Sequence, residues 1–311
     1  MYQQLKEFGA VKVNEPLAKH TTFKIGGPAD FFVTVSATAD LVGLLKFLDG
    51  EGVAYFILGG GSNMLVRDEG FQGVVVNIQT DQINISDTDV VADAGVVTVH
   101  LAQETVKAGL NGFEWGVGVP GTIGGAVRGN AGAMGGEMKD VISSVDVYRD
   151  GEVVTFSYDD CEFDYRHSIF KNQPGVVLRA HLRLKKTEDI AGKKKMIEFL
   201  QYRNKTQPQG FASTGCIFKN VEFVPGKQQF AFDVPEEFIK KGKISAGWLV
   251  EKAGMKGAKV GGAIASLQHP NYIVNEGGAT AREVKQLAED IKKAVAVKFG
   301  VQLKEEAVIL S

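Results

Sequence analysis

Only two cysteines, Cys161 and Cys216, occur in 311 residues. Thiols this sparse do not build a disulfide framework, and no Cys/His spacing suits a structural zinc. Charge of either sign is not in excess: 35 Lys and Arg against 37 Asp and Glu leave −2, without the basic footprint of a nucleic-acid binder. No apolar run approaches the roughly 20 residues that span a bilayer. Residues 1–30 carry charges throughout and have no apolar core, so no secretory leader is expected. The lysine clusters Lys193–Lys195 and Lys240, Lys241, Lys243 read as solvated surface. These absences predict a cytoplasmic protein with no metal, no membrane and no nucleic-acid partner, and a monomer is expected. Hydrophobic content of 44% and charged content of 23% are those of a globular chain, and the length suits two or three domains.

What the chain has in excess is glycine, with 38 residues against an average usage of about 7%. They cluster at 59–61, 109–136, 254–262 and 277–278. Clustered glycine marks backbone that turns sharply or approaches something closely.

The coarse pattern is α+β. Leu41, Leu44, Leu45 and Leu48 predict an amphipathic helix over 38–50, and strands 53–58 and 74–78 follow it. A strand at Val90–Ala94 and a helix from Thr98 to about Gly109 come next. Residues 112–136 read as glycine-rich loop and tight turn. Strands are expected at Val145–Tyr148, Val153–Phe156 and Val176–Leu184, and a helix at 190–204. Beyond Gln207-Pro208, a glycine turn at 213–215 precedes a strand at Cys216–Lys219. Helix 281–299 is the clearest element, with a Thr280/Glu283 capping box, a stripe of Val284, Leu287, Ala288, Ile291 and Val295, and Gly300 as its end. A strand at Ala307–Leu310 closes the chain. The divisions expected are 1–80, 81–207 and 208–311.

Gly59-Gly60-Gly61-Ser62-Asn63 lies between two apolar runs. Its backbone N–H groups can form a nest for phosphate oxygens, or the stretch can be a long hairpin turn. No Lys follows, so a Walker loop is excluded. Gly116-Val-Gly118-Val-Pro-Gly121 spells a dinucleotide fingerprint by letter. That motif also needs a strand before it and a helix after it, and Gly124 and Gly125 are expected to break such a helix. Two separate nests, 59–63 and 116–125, then suit one pyrophosphate held by loops of two subdomains.

Six stretches in order carry a resemblance: HTTFKIGGPADFFV, LGGGSNMLVRDEGFQGVVVNI, GVPGTIGGAVRGNAGAMGGE, YRHSIFK, GCIFKN and SAGWLVEKAGMKGAKVGGAIASLQHPNYIVN. From about residue 18 to 310 the chain resembles the UDP-N-acetylenolpyruvoylglucosamine reductase (MurB) family of peptidoglycan synthesis. The resemblance implies an FAD-binding fold of the vanillyl-alcohol-oxidase type in two α+β subdomains, plus a C-terminal α+β domain for the UDP-sugar substrate. It implies non-covalent FAD, since no Cys or His matches a covalent attachment pattern, and NADPH as reductant. Gly59, Gly60, Gly61, Ser62 and Asn63, with Gly118, Pro120, Gly121, Thr122, Gly124 and Gly125, would cradle the pyrophosphate.

The implied reaction adds hydride to an enolpyruvyl double bond, so negative charge builds into the neighbouring carboxylate and a proton must follow. Arg166 matches the family's carboxylate-facing arginine, and a guanidinium is planar, always charged and bidentate. Glu306 matches the C-terminal catalytic glutamate, with Glu305 as its neighbour in register. Cys216 stands where most relatives carry the proton-donating serine. An ordinary thiol, with pKa near 8.5, is mostly protonated at pH 7; the alternative is a small buried strand residue. Tyr165, Lys219, Asn220 and Gln268 match substrate-contacting positions, and His269 lies in the same stretch. The family usually has Pro after the Asn of GCIFKN, where this chain has Val221. Segment 221–243 is longer than usual, either a substrate lid or a surface insertion. Trp248 is expected in the core. An oxidase on the same flavin fold, or a flavin-binding module without catalysis, are the competing readings; neither needs Arg166, Cys216 and Glu306 together.

Overall fold

The computed structural model describes residues 1–187, 189–228 and 230–310. Backbone contacts divide the chain into two compact units. The first comprises Met1–Glu15, Ala29–Gly61 and Phe71–Lys205; the second Pro16–Pro28, Ser62–Gly70 and Thr206–Ser311.

In the first unit, one sheet runs from edge to edge as Ala10–Pro16, Pro28–Val35, Phe71–Ile78 and Tyr55–Leu58. Phe71–Ile78 is central and pairs in parallel on both sides, with Val75 opposite Phe32 and Phe56. Its Val74, Val75 and Val76 are buried, as strands covered on both faces must be. Helix Thr38–Gly50 forms as its leucine spacing predicts, and Leu41, Leu44, Leu45 and Leu48 are each 0% exposed. Each such burial contributes about 1.5–3 kcal/mol. The second sheet is antiparallel, in the order Glu152–Ser157, Ile142–Arg149, Val176–Arg183, Asp89–Asp93, Ile83–Ser86. Helix Thr98–Lys107 buries Leu101 and Ala102 in the same core, and its Val106 is buried too.

One expectation in this unit is corrected. Residues 112–136 are not all loop: Glu114–Gly118 is a 3₁₀ turn and Ile123–Gly129 an α-helix that runs through Gly124 and Gly125. Helix propensity counts against both glycines, but Ile123 N and Gly124 N donate to Val96 O and Ala94 O at 2.9 and 2.8 Å. A Cβ on Gly124 would lie 2.9 Å from Ala94 Cβ, so the close approach that fixes this helix needs glycine. A 3₁₀ turn rather than a strand precedes it, and the dinucleotide fingerprint stays excluded. Lys193–Lys195 are exposed, as expected of solvated surface. Lys195 of helix Asp189–Thr206 lies 3.6 Å from the carboxylate of Glu114, which is 5% exposed.

The second unit has a sheet in the order Ala212–Cys216, Tyr272–Asn275, Ala263–Ala265, Lys259–Val260. Helix Ala281–Phe299 covers its own core with Val284, Leu287, Ala288, Ile291 and Val295 buried. The capping box is present: Glu283 N donates to Thr280 Oγ1 at 3.1 Å, and Thr280 N to Glu283 Oε2 at 3.0 Å. Asp68 accepts Ala281 N at 2.7 Å and Arg282 N at 3.2 Å, so the first-turn donors are met from a distant segment. Gly300 closes the helix at φ +65. Phe23, Ile25 and Leu65 belong to this core.

Here the expected strand shifts. Cys216 ends strand Ala212–Cys216, and residues 213–215 are a bulge inside it, with Gly215 at φ +84. Segment 217–219 instead crosses to the C-terminal stretch, with Phe218 bridged to Glu305. Within 221–243, strands Val221–Glu222 and Lys243–Ile244 pair and helix Glu236–Lys241 lies between them; Gln229 lies outside the described residues. Phe223, Phe230 and Phe232 join Trp248 and Phe299 in one aromatic cluster. Trp248 is half-buried there rather than enclosed.

Candidate active site

In the first unit the two glycine runs touch. A Cβ on Gly60 would lie 2.7 Å from Gly121 Cα, and one on Gly59 would lie 2.4 Å from Thr122 Oγ1. Contacts this short admit only glycine and leave bare backbone at the surface the two runs share. Asn77 Nδ2 donates to Leu58 O and Gly59 O, each at 3.3 Å, and fixes the entry to the first run. The second run is held from behind. Thr98 Oγ1 donates to Val119 O, Thr98 N to Gly121 O at 3.1 Å, and Arg203 to Gly118 O. Because a trans peptide directs C=O and N–H to opposite sides, tying down Gly121 O aims Thr122 N–H away from Thr98. Pro120 lies within this run. Gly124 and Gly125 lie in helix Ile123–Gly129, Gly124 in tight contact with Ala94 and Gly125 exposed. Asn77, Thr98 and Arg203 were not legible as partners of these loops, since each is distant in sequence and none is in a glycine motif.

Tyr165 and Arg166 also belong to the first unit. They form the tip of a turn closed by Asp164 N to His167 O at 3.1 Å and His167 N to Asp164 O at 3.0 Å. Arg166 has φ +52, a left-handed backbone rare outside glycine. Its Nη2 donates to Gly132 O at 2.9 Å, and its guanidinium carbon lies 5.3 Å from the Tyr165 ring centroid. Lys171 Nζ donates to Arg166 O at 2.8 Å.

Ser62, Asn63, Cys216, Lys219, Asn220, Gln268 and Glu306 fall in the second unit. Asn63 is tied to the C-terminal stretch. Its Nδ2 donates to Glu306 O at 3.3 Å and its carbonyl accepts Val308 N at 2.9 Å. Strand Met64–Val66 then pairs in parallel with Val308–Leu310. Glu306 N donates to Ile217 O at 2.8 Å, and Lys219 N to Lys304 O at 2.8 Å. The Cys216 and Glu306 segments therefore lie side by side. Asn271, 2% exposed, clasps the first of them: its Oδ1 accepts Phe218 N at 3.1 Å and its Nδ2 donates to Phe218 O at 2.9 Å. Glu305, the neighbour in register, is engaged elsewhere, with its carboxylate on Lys292. Asn220 Oδ1 accepts Ala246 N at 3.0 Å, at the start of helix Ala246–Lys252. Gln268 is exposed, and its N–H bonds Ser266 Oγ at 3.2 Å.

Cys216 is partly exposed, whereas Cys161 is buried. Burial, with the Asp160 charge beside it, pushes the Cys161 thiol up to about 12, so it stays protonated. His269 packs against Tyr272 at 4.8 Å between ring centroids, and its Nδ1 is buried without a hydrogen-bond partner. Burial lowers its pKa from 6.5. The unfolded chain therefore binds the proton first as pH falls, and this contribution is present above the unfolded value and lost below it. Thermal melts from about pH 7 to about pH 5 should show a falling Tm, and His269→Gln should flatten that fall. Parallel curves for the two proteins would exclude His269 as the titrating group.

Residues 29–157, which carry both touching glycine runs, match an FAD binding domain, and the class is that of a flavoprotein oxidoreductase. Residues 207–310 match the C-terminal domain of UDP-N-acetylenolpyruvoylglucosamine reductase. The chain is 39% identical over 308 residues to the UDP-N-acetylenolpyruvoylglucosamine reductase of Caldanaerobacter subterraneus subsp. tengcongensis, covering 98% of this chain and 95% of that protein. Against the Bacillus subtilis (strain 168) protein of the same name, identity is 38% over 317 residues, with 99% and 97% covered. The crystal structure of the Thermus caldophilus enzyme superposes with a TM-score of 0.76 at 32% identity, covering 97% of this chain and 98% of that one. The chain belongs to the UDP-N-acetylenolpyruvoylglucosamine reductase family, on the FAD-binding fold that the sequence resemblance implies. Among the described residues, no helix is long and apolar enough to cross a membrane.

Proposed function

We propose that this protein reduces the enolpyruvyl group of UDP-N-acetylenolpyruvoylglucosamine to give UDP-N-acetylmuramate, with NADPH as reductant, as a cytoplasmic monomer serving peptidoglycan synthesis. One observation carries this reading beyond family membership. The bond from Glu306 N to Ile217 O sets the terminal glutamate segment against the one that carries Cys216. An oxidase needs no such juxtaposition of these two segments.

The contact of Gly60 with Gly121 fits the cofactor, since it leaves a backbone surface on which pyrophosphate oxygens meet N–H groups. Gly59–Gly61 and Gly118–Thr122 would hold that group, with Gly124 giving the second run its close seat and Gly125 exposed beside it. Bound FAD supplies the hydride chemistry. Arg166 meets the carboxylate in which charge accumulates, and its bond to Gly132 O limits how far the guanidinium must reorganise. Cys216 delivers the proton from Sγ to carbon and recovers it from solvent. Glu306 offers a carboxyl that can donate to the enolate oxygen in its acid form. Glu305 is held by Lys292; the role is given to Glu306 as the position that matches the family's C-terminal glutamate. Lys219 and Gln268 would contact the substrate diphosphate and nucleoside, with Tyr165 beside Arg166. Asn220 would contact the sugar, and its Oδ1 accepts Ala246 N.

The test is anaerobic stopped flow. The purified flavoprotein is reduced with NADPH and mixed with enolpyruvyl-UDP-GlcNAc. Rapid return of the oxidised spectrum is expected. A flavin that stays reduced until air is admitted would overturn the reading in favour of an oxidase.

A further inference from the structure

We propose that Asn130 is a positioning residue that sets Arg166 for its part in the reaction; this rests on the reading of Arg166 given above. Asn130 is 0% exposed and closes helix Ile123–Gly129 in a left-handed backbone, φ +41. Every polar position of its carboxamide is used. Nδ2 donates to Glu137 Oε2 at 3.0 Å and to Asp164 O at 2.8 Å, and Oδ1 accepts Lys139 N at 3.0 Å. Two oxygens on one side and an N–H on the other settle which way the amide faces.

These bonds close a circuit. Asp164 opens the turn that carries Arg166. Arg166 in turn donates to Gly132 O, in the hairpin of Gly132–Ala133 with Gly136–Glu137. Asn130 thus grips both the turn that presents the guanidinium and the hairpin that receives it. Ser168 Oγ to Arg128 O, 2.7 Å, ties the far side of the turn to the same helix. The position demands both a left-handed backbone and two amide donors facing oxygens. Asparagine meets both. Glycine keeps only the backbone, and aspartate would set a second carboxylate against Glu137.

Asn130→Gly therefore removes the grip without backbone strain. In the flavin-loaded enzyme it should slow reoxidation by enolpyruvyl-UDP-GlcNAc about 10- to 100-fold, the scale of a misplaced reacting group, and slow reduction by NADPH much less. The deciding measurement repeats the substitution in an Arg166→Ala background, where Asn130→Gly should cost less than about 2-fold, because coupled sites are non-additive. If Asn130→Gly slows both half-reactions alike, or costs as much without Arg166 as with it, the residue is only structural and the inference fails. If Arg166→Ala itself leaves reoxidation unchanged, the reading of Arg166 fails instead. Should the glycine variant lose flavin, Asn130→Asp allows the same comparison, with its left-handed backbone still accessible.

Discussion

Cys216→Ala is expected to lower turnover by about 10²-fold or more, while Cys216→Ser keeps a substantial part of the wild-type rate. Removing a positioned proton donor ordinarily costs about 10²–10⁴-fold, and alanine leaves no proton to give. Serine restores an O–H at nearly the same place, a weaker acid on an unchanged backbone. That backbone is set independently of the side chain. Asn271 clasps Phe218 through both N–H and C=O, and Ile217 O accepts Glu306 N. The loss in alanine is therefore chemical and should fall on flavin reoxidation, with flavin content and Tm near wild type. The other cysteine does not confuse the result, because burial holds the Cys161 thiol at about 12. An alanine variant with wild-type turnover would remove Cys216 from the proton path.

Arg166→Ala is expected to slow reoxidation by substrate about 10²–10³-fold, the usual cost of removing a group preorganised for developing charge. Reduction by NADPH should slow far less, because no carboxylate of the enolpyruvyl group is present in that half-reaction. Arg166→Lys should recover little. An ammonium keeps the charge but not the planar fork that bonds Gly132 O and a carboxylate together. Stopped-flow traces of the two half-reactions decide the matter. Equal slowing of both would indicate a damaged flavin site and would withdraw Arg166 from the chemistry.

Much of the fold was legible because its signals are local. The leucine spacing of helix Thr38–Gly50, the capping box of helix Ala281–Phe299 and the alternation of strand Val176–Arg183 each depend on neighbours within a few turns. The glycine runs were legible as special backbone for the same reason. The misread elements are those where distant partners outweigh local preference. Gly124 and Gly125 sit in a helix because Val96 and Ala94 accept its first N–H groups. Segment 217–219 leaves the sheet because Asn271 and the C-terminal stretch hold it.

The candidate site divides along the same line. The family resemblance carried by six ordered motifs marked Arg166, Cys216 and Glu306, and spacing argued against a structural zinc and a Walker loop, since those depend on which side chains exist and how they are spaced. That Lys292 pairs with the Glu305 carboxylate, which donors hold the carbonyls of 118–121, and why Asn130 must be an amide are not written in any local pattern. Nor is the allocation of 16–28 and 62–70 to the unit that carries the C-terminus. Each rests on hydrogen bonds and burial between segments tens to hundreds of residues apart, whose free energy exists only once the chain has folded.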